Sequence, residues 1–279
     1  WGPEFGFKDM VKFRKAQGYN CIGLIAALPH WDADGLPHTL QKSFDGELVS
    51  IREAWEKPGT GTAKAMHNEG GRPFQFPGKV PGLEGVVPDF ERINPAYFRH
   101  LDKKVDYLND KGMTVFIESV RRDVSLAWKR FYPWPESYSR FLFYLFSRYQ
   151  AHHCLFSPIH YDYFGHGVPA KAYLEPIHHW LDRYGFPPFG TPMSNNASPS
   201  TLVNFGGPSE ARWLTFHQIG NFRDHSNYRY LTDIFNAEPA LPGLNGEPYY
   251  PGYPDNDPPA DSEAAERNCR SGMYGSFLS

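Results

Sequence analysis

Residues 94–120 read NPAYFRHLDKKVDYLNDKGMTVFIESV, and they carry one full unit of the pattern that decides the fold. Asn94 offers a side-chain acceptor to the free N–H groups of a helix start, and Pro95 suits the first turn. Phe98, Leu101, Val105 and Leu108 follow at spacings of three and four, which lays an apolar stripe along a helix. Gly112 stops it. Met113 to Val120 (MTVFIESV) is then a short run apolar enough for a buried strand. A helix running straight into a strand of this kind is the repeating unit of a parallel sheet covered on both faces.

The same unit recurs on either side. Upstream, residues 5–18 predict a helix with Phe7, Met10 and Val11 on one face and Gly18 as its stop, followed by the strand CIGLIAAL at 21–28. Downstream, Ser137 opens a helix carrying Tyr138, Phe141, Leu142, Leu145 and Tyr149, and CLFSPIHY at 154–161 is a third strand. Leu174, Ile177, Leu181 and Tyr184 mark another helix, stopped by Gly185. PMSNNA at 192–197, WLTFHQI at 213–219 and LPGLNGEPY at 241–249 complete six strand candidates. Ser226 caps a helix with Leu231, Ile234 and Phe235, and Ala264 begins a last one. Residues from about 29 to 93 form a long Gly- and Pro-rich insertion, a length that usually goes with function.

An open doubly wound sheet and a (β/α)8 TIM-type barrel both fit six such strands. The polar residues favour the barrel. Strand after strand ends in groups suited to chemistry: His30-Trp31-Asp32, Glu118, His160-Tyr161-Asp162, Asn195-Asn196, His217-Gln218 and Asn245-Gly246-Glu247. Barrel enzymes gather such groups at the C-terminal ends of their strands. No G-x-G-x-x-G follows a strand, which speaks against a dinucleotide fold. Six parallel strands cannot close a barrel, so the expectation is one domain over 1–279 with its first and last strands outside this chain.

Composition narrows the function. Of 279 residues 41% are hydrophobic and 21% charged, enough apolar material for a sizeable core. No apolar run approaches a membrane span. A net charge of −3 without a basic run argues against nucleic acid as partner. Cys21, Cys154 and Cys269 are too scattered for a disulfide framework or a zinc site. Aromatic residues reach 16%, with 26 Gly and 26 Pro. Loops with many exposed rings suit a carbohydrate cleft, because sugar C–H faces pack on aromatic planes; a loop-rich fold with an aromatic core fits equally well.

Cleavage of a glycosidic bond needs a proton donor and a second carboxylate. Asp162 and Glu247 end two separate strands and can face each other across a barrel mouth. Glu118 can hydrogen-bond a hydroxyl or pair with Arg121 or Arg122. His30, Trp31 and Asp32, with Tyr161, Asn195, Asn196, Gln218 and Tyr249, are candidate sugar contacts. His217 is another, or a support for Glu247, a part that Asn245 and Tyr249 can also play.

The chain resembles the apiosidase-like glycoside hydrolases, (β/α)8 enzymes related to the clan of retaining barrel glycosidases. The resemblance rests on FKDMVKFRKAQGYNCI (7–22), INPAYFRHLDKKVDYLNDKGM (93–113), FLFYLFSRYQ (141–150), LPGLNGEPYY (241–250) and the ending RNCRSGMYGSFLS (267–279). It implies an acid/base at the end of strand four, matched by Asp162 in SPIHYDYF, and a nucleophile at the end of strand seven, matched by Glu247 in NGEPYY. The clan commonly has Asn-Glu where this chain has Tyr161-Asp162, and the shorter Asp changes the reach. The resemblance further implies retaining hydrolysis of plant or algal polysaccharide side chains, with no cofactor or catalytic metal. A secreted or periplasmic setting follows from that function. The alternatives are an inverting glycosidase using the same pair, a non-catalytic carbohydrate-binding barrel, and a lyase with a Tyr or His base.

Overall fold

The structure is a computed structural model. It describes residues 6–27, 41–42, 48–49, 68–75, 78–81, 88–121, 125–162, 168–220, 228–247, 249 and 258–278.

Helix α1 (Phe7–Ala16) ends at Gly18, whose φ of +89° is the left-handed turn a glycine makes without strain. Strand β1 (Cys21–Ala27) follows. The stretch read as one long insertion contains short strands: β2 (Gln41–Lys42) with β3 (Leu48–Val49), and β4 (Phe74–Gln75) with β5 (Asp89–Ile93), each pair antiparallel. Rings anchor the second hairpin. Phe90 stacks on Trp128 with centroids 4.4 Å apart, and Phe74 meets both edge-on. Burying each ring stabilises by about 1.5–3 kcal/mol, more than so short a ladder supplies.

Helix α2 (Pro95–Asp110) starts as its sequence dictates. The Asn94 side chain accepts from the Ala96 N–H at 3.0 Å, and Phe98, Leu101, Val105 and Leu108 are all buried. Strand β6 (Thr114–Val120) follows, then α3 (Ser125–Phe131), a helix the sequence reading lacks, and α4 (Glu136–Tyr149). Strand β7 (Cys154–Ser157) is shorter than expected. Pro158 has no N–H to give the ladder, and pairing resumes where the His160 N–H donates to the Val120 carbonyl at 2.8 Å.

Helix α5 (Leu174–Tyr184) ends at Gly185 as expected. Beyond it come α6 (Thr201–Phe205), β8 (His217–Ile219), α7 (Arg229–Phe235), β9 (Gly243–Asn245) and α8 (Glu263–Leu278). Two expectations for α7 need correction. Leu231 and Ile234 are buried, but Phe235 at the helix end is 76% exposed. The N-cap is Tyr228; Ser226 lies outside the described residues.

The topology runs in one direction. β1, β6 and β7 form a parallel sheet with Cys21 opposite Thr114 and Val115 opposite Cys154. Parallel bridges from Phe156 to Met193 and from Tyr161 to Ala197 add the segment 193–197. The Thr215 N–H donates to the Met193 carbonyl at 2.9 Å, and β8 pairs in parallel with β9. The strands thus follow one another in chain order, each beside its predecessor. A doubly wound sheet would reverse that order at a switch point. Among the described residues no pairing joins the outer edges of β1 and β9, so the barrel expectation is met in its α/β winding and not in closure.

The core lies between this sheet and its helices, and it is aromatic. Phe98, Trp128, Tyr138, Phe141, Phe146, Tyr149, Phe156, Tyr173, Phe205 and Trp213 are all at most 1% exposed. Most of the large rings among the described residues therefore pack the core. Trp31, a candidate sugar contact, lies outside the described residues. Among the described residues no helix is long and apolar enough to cross a membrane.

Candidate active site

Strands that run parallel and in order present all their C-terminal ends along one rim. Glu118 lies near the end of β6, with Arg121 just beyond it. His160 and Asp162 follow β7, Asn196 lies in the 193–197 segment, Gln218 is in β8, and Glu247 comes two residues after β9.

Side chains alternate between the two faces of a strand, so the polar doublets read from the sequence split. Asp162 turns to the rim while Tyr161 turns to the helices. Tyr161 is 4% exposed, donates its hydroxyl to the Val168 carbonyl at 3.3 Å and packs on Tyr173 and Phe205. It packs with the core on the helix side of the strand. The pair His217-Gln218 divides in the same way. His217 is fully buried with Nδ1 2.8 Å from the Thr201 hydroxyl. Burial holds its imidazole below the ordinary histidine range. It supports α6 and not Glu247. Gln218 is buried with its amide beside Gly246, where a Cβ would sit 2.8 Å from Gln218 Oε1. Asn195 is fully buried and donates to the Asn196 carbonyl at 3.3 Å. Tyr249 is buried. Asn245, expected near Glu247, donates instead to Ser276 Oγ at 2.6 Å.

Two clusters remain at the rim. In the first, His160 Nδ1 lies 2.6 Å from Glu118 Oε2, and His160 Nε2 lies 3.5 Å from Asp162 Oδ2. Arg121 Nη2 donates to the same Asp162 oxygen at 3.3 Å. All four side chains are mostly buried, between 7% and 20% exposed. Glu118 therefore pairs with His160, and Arg121 with Asp162, not Glu118 with Arg121. Arg122 lies outside the described residues.

In the second cluster, Asn196 Nδ2 donates to Glu247 Oε1 at 2.5 Å. The Asn196 carbonyl also accepts from the Tyr161 N–H at 2.8 Å. One residue thus holds the nucleophile candidate by its side chain and the N–H of Tyr161, the residue before Asp162, by its backbone. Asn196 reaches in because residue 220 is a glycine: a Cβ there would lie 1.7 Å from Asn196 Oδ1.

His160 stands among the strand-end groups of the sequence with no part of its own in the site, and Arg121 only as a partner for Glu118; both are rim residues. His160 carried a usable signal, standing two residues before Asp162 and so on the same strand face. His30, Trp31 and Asp32 lie outside the described residues. No group of three or more His, Cys, Asp or Glu among the described residues gathers within reach of a metal ion.

A family described as "Apiosidase-like, catalytic domain" matches residues 5–279. A glycoside hydrolase family 5 structure from Bacteroides vulgatus ATCC 8482 is similar over 97% of this chain and 52% of its own, at 12% identity and a TM-score of 0.57. A second structure, described as a glycoside hydrolase, is similar over 97% of this chain and 55% of its own, at 12% identity and a TM-score of 0.58. This chain spans about half the length of either. At such identity the likeness bears on the fold, which it shares. No curated protein matches the chain.

Proposed function

The chain belongs to the apiosidase-like catalytic-domain family, and from that premise we propose that it hydrolyses glycosidic bonds by double displacement, with Asp162 as acid/base and Glu247 as nucleophile. One observation carries the pairing: Asn196 ties the Glu247 carboxylate and the backbone N–H of Tyr161, the residue before Asp162, to a single point on the rim.

Asp162 gives a proton to the glycosidic oxygen while a Glu247 oxygen attacks the anomeric carbon. The bond to the leaving group breaks and a glycosyl ester forms. Asp162, now a carboxylate, takes a proton from water. That water attacks the same carbon and Glu247 departs as a carboxylate. The Asn196 amide donates to the Glu247 carboxylate and orients it. Arg121 donates to Asp162 and holds its carboxyl in place for both steps. Glu118 and Gln218 present polar groups to sugar hydroxyls. The substrate we propose is a plant or algal polysaccharide side chain, met in a secreted or periplasmic setting.

The test is a panel of aryl glycosides and polysaccharides against the wild type, Glu247→Ala and Asp162→Ala. Each variant should lose on the order of 10²–10⁴-fold in turnover. Product anomers followed by NMR should keep the substrate's configuration. Retention requires the carboxyl groups about 5–5.5 Å apart, and inversion about 6.5–9.5 Å. Hydrolysis unchanged in both variants overturns the proposal.

A further inference from the structure

Asp162 must have a proton to deliver to the leaving oxygen, and its carboxyl lies beside Arg121. The structure places a second proton carrier at the same oxygen. His160 Nε2 lies 3.5 Å from Asp162 Oδ2, and Arg121 Nη2 lies 3.3 Å from it. The other ring nitrogen, Nδ1, is 2.6 Å from Glu118 Oε2. The ring is also fixed through its backbone, since the His160 N–H donates to the Val120 carbonyl at 2.8 Å.

An ionised carboxylate only accepts hydrogen bonds, so Glu118 selects the form of His160 with hydrogen on Nδ1. Nε2 is then left facing Asp162, as a lone pair on the neutral ring or as an N–H on the cation. We propose that His160, oriented by Glu118, stores the proton that Asp162 delivers to the leaving oxygen. The inference rests on the acid/base role of Asp162 proposed above.

The proton count closes. In the first step the proton held on His160 Nε2 passes to Asp162 as Asp162 protonates the leaving oxygen, which leaves the ring neutral and Asp162 a carboxylate. In the second step Asp162 takes a proton from the attacking water and passes it back to Nε2. No other donor is consumed. The gap of 3.5 Å sits at the outer edge of a hydrogen bond, and such contacts often tighten only when substrate binds. His160 acts through Asp162 and is a positioning residue, since it need not touch the sugar.

The test compares the 2,4-dinitrophenyl and the methyl glycoside of whichever sugar the wild-type chain cleaves fastest. Dinitrophenolate leaves without a proton, whereas methanol needs one. In His160→Gln the methyl glycoside should lose on the order of 10²-fold more than the dinitrophenyl glycoside. Both rates come from one preparation, so their ratio does not depend on how much of it is folded. In Glu118→Gln, where a neutral amide replaces the carboxylate that orients the ring, the ratio should move in the same direction. Equal losses on both substrates in His160→Gln, or an unmoved ratio in Glu118→Gln, leave His160 a structural role and overturn the inference. Full activity in Glu247→Ala is a different failure, since it removes the glycosidase reading itself.

Discussion

Gly220 shows how tightly the site is specified at the scale of one residue. No side chain fits there while Asn196 holds Glu247, since a Cβ would stand 1.7 Å from the Asn196 amide oxygen. Gly220→Ala should therefore displace Asn196 and slacken Glu247. The expected loss in kcat/KM is about 10²-fold, the effect of an ångström-scale misplacement, with only about 1–3 kcal/mol lost in stability. Steady-state kinetics beside thermal unfolding separates the two, and an unchanged kcat/KM would mean that Glu247 does not need Asn196. The same scale shows what was legible in the sequence. Asp162, Glu118, Asn196, Gln218 and Glu247 stand out because they end apolar runs. Tyr161, Asn195 and His217 stand out with Asp162, Asn196 and Gln218 for the same reason. A strand buried on both faces has no polar side to mark its phase, so alternation says that one member of each doublet faces in without saying which. The salt bridge of Arg121 crosses from one strand to the next and leaves no trace in local sequence.

At the scale of the element, Asn94 joins two pieces of structure. Its oxygen caps α2, and its Nδ2 donates to the carbonyls of Gly70 and Arg72 at 2.9 and 2.8 Å. Asn94→Ala should cost about 1–2 kcal/mol, read as a lower midpoint in urea. Asn94→Asp keeps the capping oxygen and loses both donors, so it should recover only part of that loss. Full recovery by Asp would show that the links to residues 70 and 72 contribute nothing. The cap itself was plain in the sequence, as were the four buried residues of α2. β5 was not, because its five residues DFERI hold only two apolar side chains and its stability comes from a ring on α3. Short elements held by distant partners carry no periodicity of their own.

For the molecule as a whole, stability should depend on pH through its buried imidazoles. Burial lowers His217, and burial with Arg212 nearby lowers His178. The folded protein then takes up these protons at lower pH than the unfolded chain, whose histidines titrate near 6.5. Stability is fully present above that value and falls as pH drops through it toward the folded values. Calorimetry between pH 7 and 5 should show a declining Tm, with a shallower decline in His217→Gln; an identical slope in that variant would assign the effect elsewhere. The α/β class was legible from six apolar runs, but the winding was not, since pairing between strands lies outside any local pattern. That winding has a kinetic corollary. The first pairing, β6 on β1, has to wait until residues 28–113 have been made, whereas each later strand adds to an edge that already stands, so the long first closure is the step a growing polypeptide must wait for.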